Sequence, residues 1–376
     1  MPRDQTLVEM LPTRSKNIWL IALAAILVAA VLLLALHYLP GSDVSSRQEL
    51  LRFIPADSAA VFFFDLEELR ASAFVEKLNA WAPISREDSE YLQFVRDTGF
   101  SYERDLQRAV VAIYHHQATT NLLAVVDGKF DRRKIEAFLT RSGKSTRQGK
   151  WKVFHLNASA NEKPISVVFL SNTRVAVSDS ESISAALSSA EGEAGRAEWN
   201  QHFERLAGSP LFAIVRQDAA TQALLNETMP GSFRSPELSA LLNQLQWISI
   251  AGKPDGDQLQ VVAEGESLSP SVPAQLHDFF QGIILLAQNG LNDPKLRQKM
   301  NPEERHAYLE ILKNADIRNV DRGDWKSVRV VLEITPNFLE VARAASIAAP
   351  ANEPSIVQQT PKPEPVSGKS KTHSKK

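Results

Sequence analysis

Nineteen consecutive apolar residues, Ile18 to Leu36 (IWLIALAAILVAAVLLLAL), constrain this chain more than any other feature. As an α-helix the run is roughly 28 Å long, close to the hydrocarbon thickness of a bilayer. A buried globular helix is rarely apolar on every face for five turns. A cleaved secretory signal has a shorter core of about 7–15 residues and a small-x-small site. Here the only such site is the weak Val44–Ser46. Trp19 and Tyr38 sit near the ends of the run, as interfacial aromatics do. Arg14 and Lys16 precede it, and the next positive charge is Arg47. Positive-inside reasoning then puts residues 1–16 in the cytoplasm and everything after Pro40 outside it. The sequence predicts a single-pass signal anchor over 17–40, with residues 18–39 in contact with the lipid bilayer.

The chain beyond this anchor is long enough for one large domain or two ordinary ones: the whole has 376 residues, 44% hydrophobic and 23% charged. The formal net charge of -2 is unevenly spread. The first sixteen residues carry +1 and residues 349–376 carry +3, which leaves the body at -6. A mildly acidic body is no nucleic-acid surface. The absence of cysteine excludes disulfides, thiol catalysis and cysteine-type zinc sites.

Beyond a linker over 41–52, strand and helix signals alternate. Ala59 to Phe64 is short and continuously apolar, which predicts a strand buried on both faces. Asp65 comes next as a helix N-cap, with Glu68 as its capping-box partner. LQRAVVAIYHH and NLLAVVDG predict an antiparallel hairpin, after which Asp131 caps RRKIEAFLTRSG. WKVFHLN, ISVVFLSN and RVAVSDS are further strands, the last two joined tightly at Asn172-Thr173, and Asp179 or Ser180 starts the helix ISAALSSA. The second half repeats this order. SPLFAIVRQDAATQALL matches the first strand and helix. A helix and a hairpin turning at Asp255-Gly256 come next, then a helix with Ser271 as cap and Pro273 in its first turn. DWKSVRVVLEIT and a helix opened by Thr335-Pro336 complete the copy, and NPEERHAYLEILKNA is an insert. After Ala349, proline, serine and lysine replace apolar residues, and 349–376 cannot bury enough surface to fold.

The stretch IPADSAAVFFFDLEELRAS behind a signal anchor resembles the opening of a group of bacterial membrane-anchored proteins of unknown function. The resemblance covers Phe53–Leu78. It implies a bacterial envelope location and transfers no catalytic residue.

Candidate chemistry is sparse. His115 and His116 are adjacent on a strand and point to opposite faces, so they do not share a metal. Glu303-x-x-His306 has the spacing of a carboxylate-bridged di-iron motif but lacks the second copy such sites need. Asn301 as cap and Pro302 in the first turn explain it without metal. Glu198 and His202 stand at i, i+4. Asn157-Ala-Ser159 and Asn226-Glu-Thr228 fit a glycosylation pattern that arises often by chance. No serine occupies a nucleophile elbow, and GKPDGD lacks phosphate-loop spacing. In the helix from Ser271, the residues Leu276, Phe279, Phe280, Ile283, Ile284, Leu286 and Ala287 cover a wide arc. That arc suits a helix wedged between sheets or modules, or else the wall of an apolar-ligand groove.

The expected protein is therefore α+β: a transmembrane helix, two related modules over 53–192 and 193–348, and a disordered tail. Mostly antiparallel sheets carry helices on one face. No catalytic, cofactor or metal residue is assigned and no cofactor is expected. The expected location is the bacterial inner membrane, with a periplasmic C-terminal domain. The leading functional reading is a non-enzymatic envelope scaffold or binding module. A carrier or sensor of an apolar ligand or lipid, and a hydrolase with a dispersed site, are the alternatives. Envelope proteins or an apolar ligand are the partners these readings imply.

Overall fold

A computed structural model of the chain describes residues 44–81, 89–116, 119–156, 165–190, 196–217 and 236–341. The apolar run 18–36 and the tail 349–376 lie outside them. Among the described residues no helix is long and apolar enough to cross a membrane.

The strands are β1 (Ser58–Asp65), β2 (Leu106–His116), β3 (Thr119–Gly128), β4 (Gly143–Gln148), β5 (Trp151–Leu156), β6 (Ile165–Phe169), β7 (Arg174–Ser178), β8 (Leu211–Arg216), β9 (Trp247–Asp255), β10 (Gln258–Ser267), β11 (Asp316–Arg322) and β12 (Trp325–Ile334). The helices are α1 (Val44–Leu51), α2 (Leu66–Arg70), α3 (Ala73–Trp81), α4 (Ser89–Thr98), α5 (Tyr102–Asp105), α6 (Arg132–Ser142), α7 (Ile183–Ser189), α8 (Arg196–Arg205), α9 (Pro236–Leu242), α10 (Ser271–Asn292), α11 (Pro294–Lys299) and α12 (Pro302–Asn314).

Among the described residues, the twelve strands join one antiparallel sheet in the order β11-β12-β10-β9-β8-β1-β2-β3-β7-β6-β5-β4. The seam at its middle is the pair β1·β8, in which Phe63 lies opposite Phe212 and the two rings stack at 5.1 Å. Outward from this seam the sequence β1-β2-β3-β7 runs one way and β8-β9-β10-β12 the other. A helix precedes the first strand of each series, α1 before β1 and α8 before β8.

Alternation along the strands divides the core into two layers. Val61, Phe63, Val110, Val125, Val153, Val168 and Ile214 face one layer, with Leu50 of α1, Leu187 of α7 and Trp199 of α8. Their neighbours on the same strands, Phe64, Ala109, Phe154, Val167 and Val175, face the other, where Ile135 and Leu139 of α6 pack. Leu238 near the start of α9 and Leu276 of α10 continue that second layer under β12. Helices therefore cover both faces of the sheet, not one. A strand such as β1, buried on each side, requires this cover.

Local chemistry accounts for several boundaries. Asp65 Oδ1 accepts from the Glu68 N–H at 3.0 Å, and Asp131 Oδ1 from the Lys134 N–H at 3.2 Å, as N-caps should. The return half of the capping box is absent, because the Asp65 N–H donates to Pro210 O instead. Residues 44–51 are helical where a linker is expected, and Leu50 is fully buried. α7 begins only at Ile183, because Asp179 Oδ1 accepts from the Leu122 N–H at 2.7 Å and stays with the sheet. α10 begins at Ser271 itself, with Pro270 in the cap position. Two strands carry no strand signal in the sequence, β4 and β11, and they are the two edges of the sheet.

Candidate functional site: a charged cleft beneath α8

Strand β10 runs Val261-Val262-Ala263-Glu264-Gly265-Glu266. A period of two places both glutamates on one face, the face α8 covers. Glu264 is 6% and Glu266 1% exposed. A carboxylate this buried must be paired and hydrogen-bonded. The register supplies the first partner, since Arg329 of β12 lies opposite Glu264. Its Nε and Nη2 donate to Oε2 at 3.1 and 2.8 Å. Arg322, the last residue of β11, donates from Nε to Oε1 at 2.8 Å and from Nη2 to Oε2 at 3.2 Å. The Ser327 hydroxyl donates to Oε1 at 2.7 Å. Glu266 is served from above, by two α8 residues three apart and so on one helical face. Arg205 Nη2 donates to its Oε1 at 2.5 Å, and His202 Nδ1 lies 3.3 Å from the same oxygen. Arg205 also touches His202 Nδ1, and the imidazole packs on Trp247 at 4.2 Å between centroids.

Above these groups opens a cleft of about 410 Å³ lined by Gln201, His202, Glu204, Arg205, Glu266, Arg322 and Trp325. Burial alone would raise the Glu264 pKa. The hydrogen bonds from Arg322, Ser327 and Arg329 outweigh it and hold the carboxyl at about 2. Glu266 is likewise lowered, since the hydrogen bonds from His202 and Arg205 overcome its burial. An acid–base catalyst works best with a pKa near the working pH. Glu264 has no proton to give at neutral pH, and both its oxygens already accept hydrogen bonds. The cleft is equipped to hold a group, not to exchange protons through this carboxylate. Among the described residues no cluster of three or more histidine and carboxylate side chains could bind a metal.

A second acid–arginine pair occupies the corresponding place on the other side of the seam. Asp127 of β3 faces Arg174 of β7 in register, with Arg174 Nε and Nη2 donating to its two oxygens at 2.6 and 2.9 Å. Each acid is followed by glycine, Asp127-Gly128 and Glu264-Gly265, and each arginine by valine. A Cβ at Gly128 would come within 2.7 Å of the backbone Asp105 O, and one at Gly265 within 2.7 Å of Leu245 Cδ1, the end of a side chain that would have to shift. Here the covering helix α1 brings an acid, Glu49, whose Oε2 lies 3.5 Å from Arg174. The Arg174 guanidinium also lies over the Phe53 ring. Arg47 of the same helix reaches Asp65, 3.7 Å away, which in turn accepts from Arg108 Nε at 3.0 Å. Asp65 is thus more than a cap. An asparagine would keep the cap and leave Arg108 facing a neutral amide.

The residues singled out from sequence fall mostly elsewhere. His115 and His116 end β2, and the His115 Nδ1 contacts the Thr120 hydroxyl at 3.2 Å. Glu303 and His306 lie exposed on α12, capped by Asn301 as expected, its Oδ1 accepting from the Glu303 N–H at 3.0 Å. Glu198 is exposed on α8 while His202 points inward at Glu266, so the i, i+4 pair is not formed. Asn157, Ser159, Asn226 and Thr228 lie outside the described residues. α10 is not wedged between two sheets. Val272, Pro273 and Leu276 are buried, but Leu285 is 57% and Leu286 72% exposed. A shallow groove of about 290 Å³ lies beside it, mixing Ile284, Leu285, Leu312 and Ile317 with Gln281, Gln288 and Lys313. Sequence reasoning missed Glu264, Glu266, Arg322 and Arg329. The available signal was charge at alternate positions inside otherwise apolar strands, VVAEGES and VRVVLEI.

Neither a protein-family model nor a curated protein matches the sequence. Crystal structures of TP0453 in three crystal forms match over 78–79% of this chain and 96–97% of theirs. Identities are 10–11% and TM-scores 0.38–0.40, too low to carry a functional argument.

Proposed function

We propose that this protein is a non-enzymatic binding module, tethered to a bacterial inner membrane through residues 18–36, with its sheet domain outside the cytoplasm. In this reading the two sides of the sheet are related modules, and the second has become the binding half. One observation carries it: among the described residues, the hydrogen-bonding groups that meet Glu264 are donors that fix it ionised, while guanidinium groups still border an open cleft. A dispersed hydrolase site would need an acid or base free to titrate near neutral pH. The second reading, a carrier of an apolar ligand, draws on the exposed Leu285 and Leu286 of α10.

The absence of cysteine makes the test specific. A benzophenone attached to Gln201→Cys in the full-length protein, irradiated in its own membranes, should yield discrete adducts at the cleft. The same probe on Lys144→Cys, at the far edge strand β4, should not. Equal labelling at both positions would remove the cleft as the binding site. Preferential adducts at Leu286→Cys would favour the apolar carrier. Protease added to spheroplasts should degrade residues 41–376, and full protection of the domain would reverse the topology.

A further inference from the structure

The donors around the cleft exceed the acceptors the protein provides for them. Arg205 donates from Nη2 to Glu266, the same nitrogen lying against His202 Nδ1; its Nη1 stands 3.9 Å from Glu264 Oε1, beyond hydrogen-bonding distance. Arg322 uses Nε and Nη2 on Glu264. Among the described residues, Nε and Nη1 of Arg205, Nη1 of Arg322, the Gln201 amide and the Trp325 indole N–H make no hydrogen bond. Both arginine side chains are about a quarter exposed, 24% for Arg205 and 27% for Arg322, so their unused edges are reachable from the cleft. Guanidinium groups cannot accept, so the unused N–H groups of these arginines call for a ligand that brings acceptors. Arg322 keeps one edge with two parallel N–H groups, Nη1 and the second proton of Nη2, which matches the oxygens of a carboxylate or phosphate. Nε and Nη1 of Arg205 lie on different edges and offer single donors.

We infer that the cleft binds a small oxyanion-bearing ligand, a phosphate ester or organic acid, held between Arg205 and Arg322 with its remainder against the Trp325 indole. This rests on the reading of the cleft as a binding site and adds the class of ligand. The volume of about 410 Å³ falls in the usual range for small-molecule sites, and exceeds what a bare phosphate fills. The last turn of α8 presents the negative end of its dipole here. Arg205 and Arg322 are themselves paired with Glu266 and Glu264, so the ligand is held by their remaining N–H donors more than by net charge. Glu204 is the one acid on the rim not committed to a buried pair, and it is exposed. Gln201 is exposed as well, so its charge can be changed without disturbing the core.

The test uses full-length protein carrying 5-fluorotryptophan in neutral dodecylmaltoside micelles. Trp325→Phe assigns the Trp325 resonance among six tryptophans. Inorganic phosphate, glycerol 3-phosphate and citrate, at matched ionic strength, should shift that resonance saturably, whereas glucose and choline should not. Gln201→Glu should raise the midpoint by about three- to tenfold, and Gln201→Lys should lower it, as expected for one charge a few ångströms away. Phosphatidylglycerol added to the micelles separates the sources: saturation by the lipid below the concentration of glycerol 3-phosphate marks a headgroup, and the reverse marks a free metabolite. Equal shifts with glucose, or a midpoint indifferent to Gln201→Glu, would overturn the oxyanion. A silent Trp325 with persistent adducts at Gln201→Cys would also overturn it while leaving the binding reading standing. Loss of both signals would end both.

Discussion

Asp127–Arg174 and Glu264–Arg329 stand at matching places on either side of the β1·β8 seam, yet their surroundings differ in charge. Over the first, α1 supplies Glu49, so the arginine gains a second carboxylate and the Phe53 ring lies against it. Over the second, α8 supplies Arg205 and His202, and the strands add Arg322. One pair is met by an acid of its covering helix, Glu49. The other is met by an arginine of its covering helix, Arg205, and a cleft opens beside it. The same two-residue device can tie strands together in one half and lie beside an open cleft in the other. What differs is the residue that the covering helix turns toward the pair, Glu49 in one half and Arg205 in the other.

The largest effect should come from removing each acid. Glu264→Gln leaves Arg322 and Arg329 without their shared carboxylate, and breaking a buried pair this way costs about 3–5 kcal/mol. Asp127→Asn should cost less, because Glu49 still faces Arg174. Denaturant unfolding of both variants decides it, and a reversed order would break the comparison.

Acid should separate the halves next. The Glu264 pKa is depressed from 4.5 to about 2 in the folded protein. A depressed carboxylate stabilises above its unfolded value, so this contribution is complete above about pH 5. It is lost as pH falls toward 2, and amounts to about 3 kcal/mol. The wild type should show this limb between pH 5 and 2 in urea titrations, and in Glu264→Gln it should shrink to what Glu266, also held below its ordinary value, contributes. An identical limb in the variant would assign the acid sensitivity elsewhere.

A smaller contrast lies in the glycines. At Gly128 a methyl group meets the Asp105 carbonyl and the Phe130 ring, whereas at Gly265 it meets only the end of Leu245. Overpacking of this kind costs roughly 1–3 kcal/mol. Gly128→Ala should fall at the upper end and Gly265→Ala at the lower, read from their melting temperatures. Equal losses would mean that the Leu245 side chain has no more freedom than backbone. Smallest of all, Gln201→Glu should change stability by no more than about 0.5 kcal/mol, since the residue is exposed and bonded to nothing among the described residues.

These contrasts also explain what the sequence could and could not reveal. Apolar runs such as VFFF and the Asp65 and Asp131 caps were legible because burial and capping leave local signals. β4 and β11 were not. GKSTRQ and DIRNVDR are edge strands, whose polar faces blunt pairing with other chains and erase the alternation that marks a strand. α1 reads as linker because its burial comes from the sheet it lies on. The site was invisible for a related reason. Arg205 and Glu266 lie 61 positions apart, Arg322 belongs to a third element, and only the sheet order joins them. Charge inside an apolar strand was the one clue present, and VVAEGES shows it twice.

Arg174 in one half of this sheet is more covered than Arg205 and Arg322 at the cleft in the other, with side chains 15% exposed against 24% and 27%. Peptide-resolved modification of the native full-length protein by phenylglyoxal, which attacks accessible guanidinium groups, tests that difference most directly. Arg205 and Arg322 should be modified in the folded protein and be slowed by inorganic phosphate. Arg174 and Arg108, their side chains 15% and 7% exposed, should react only on unfolding. Modification of Arg174 as fast as that of Arg322, with no protection by phosphate, would contradict the account.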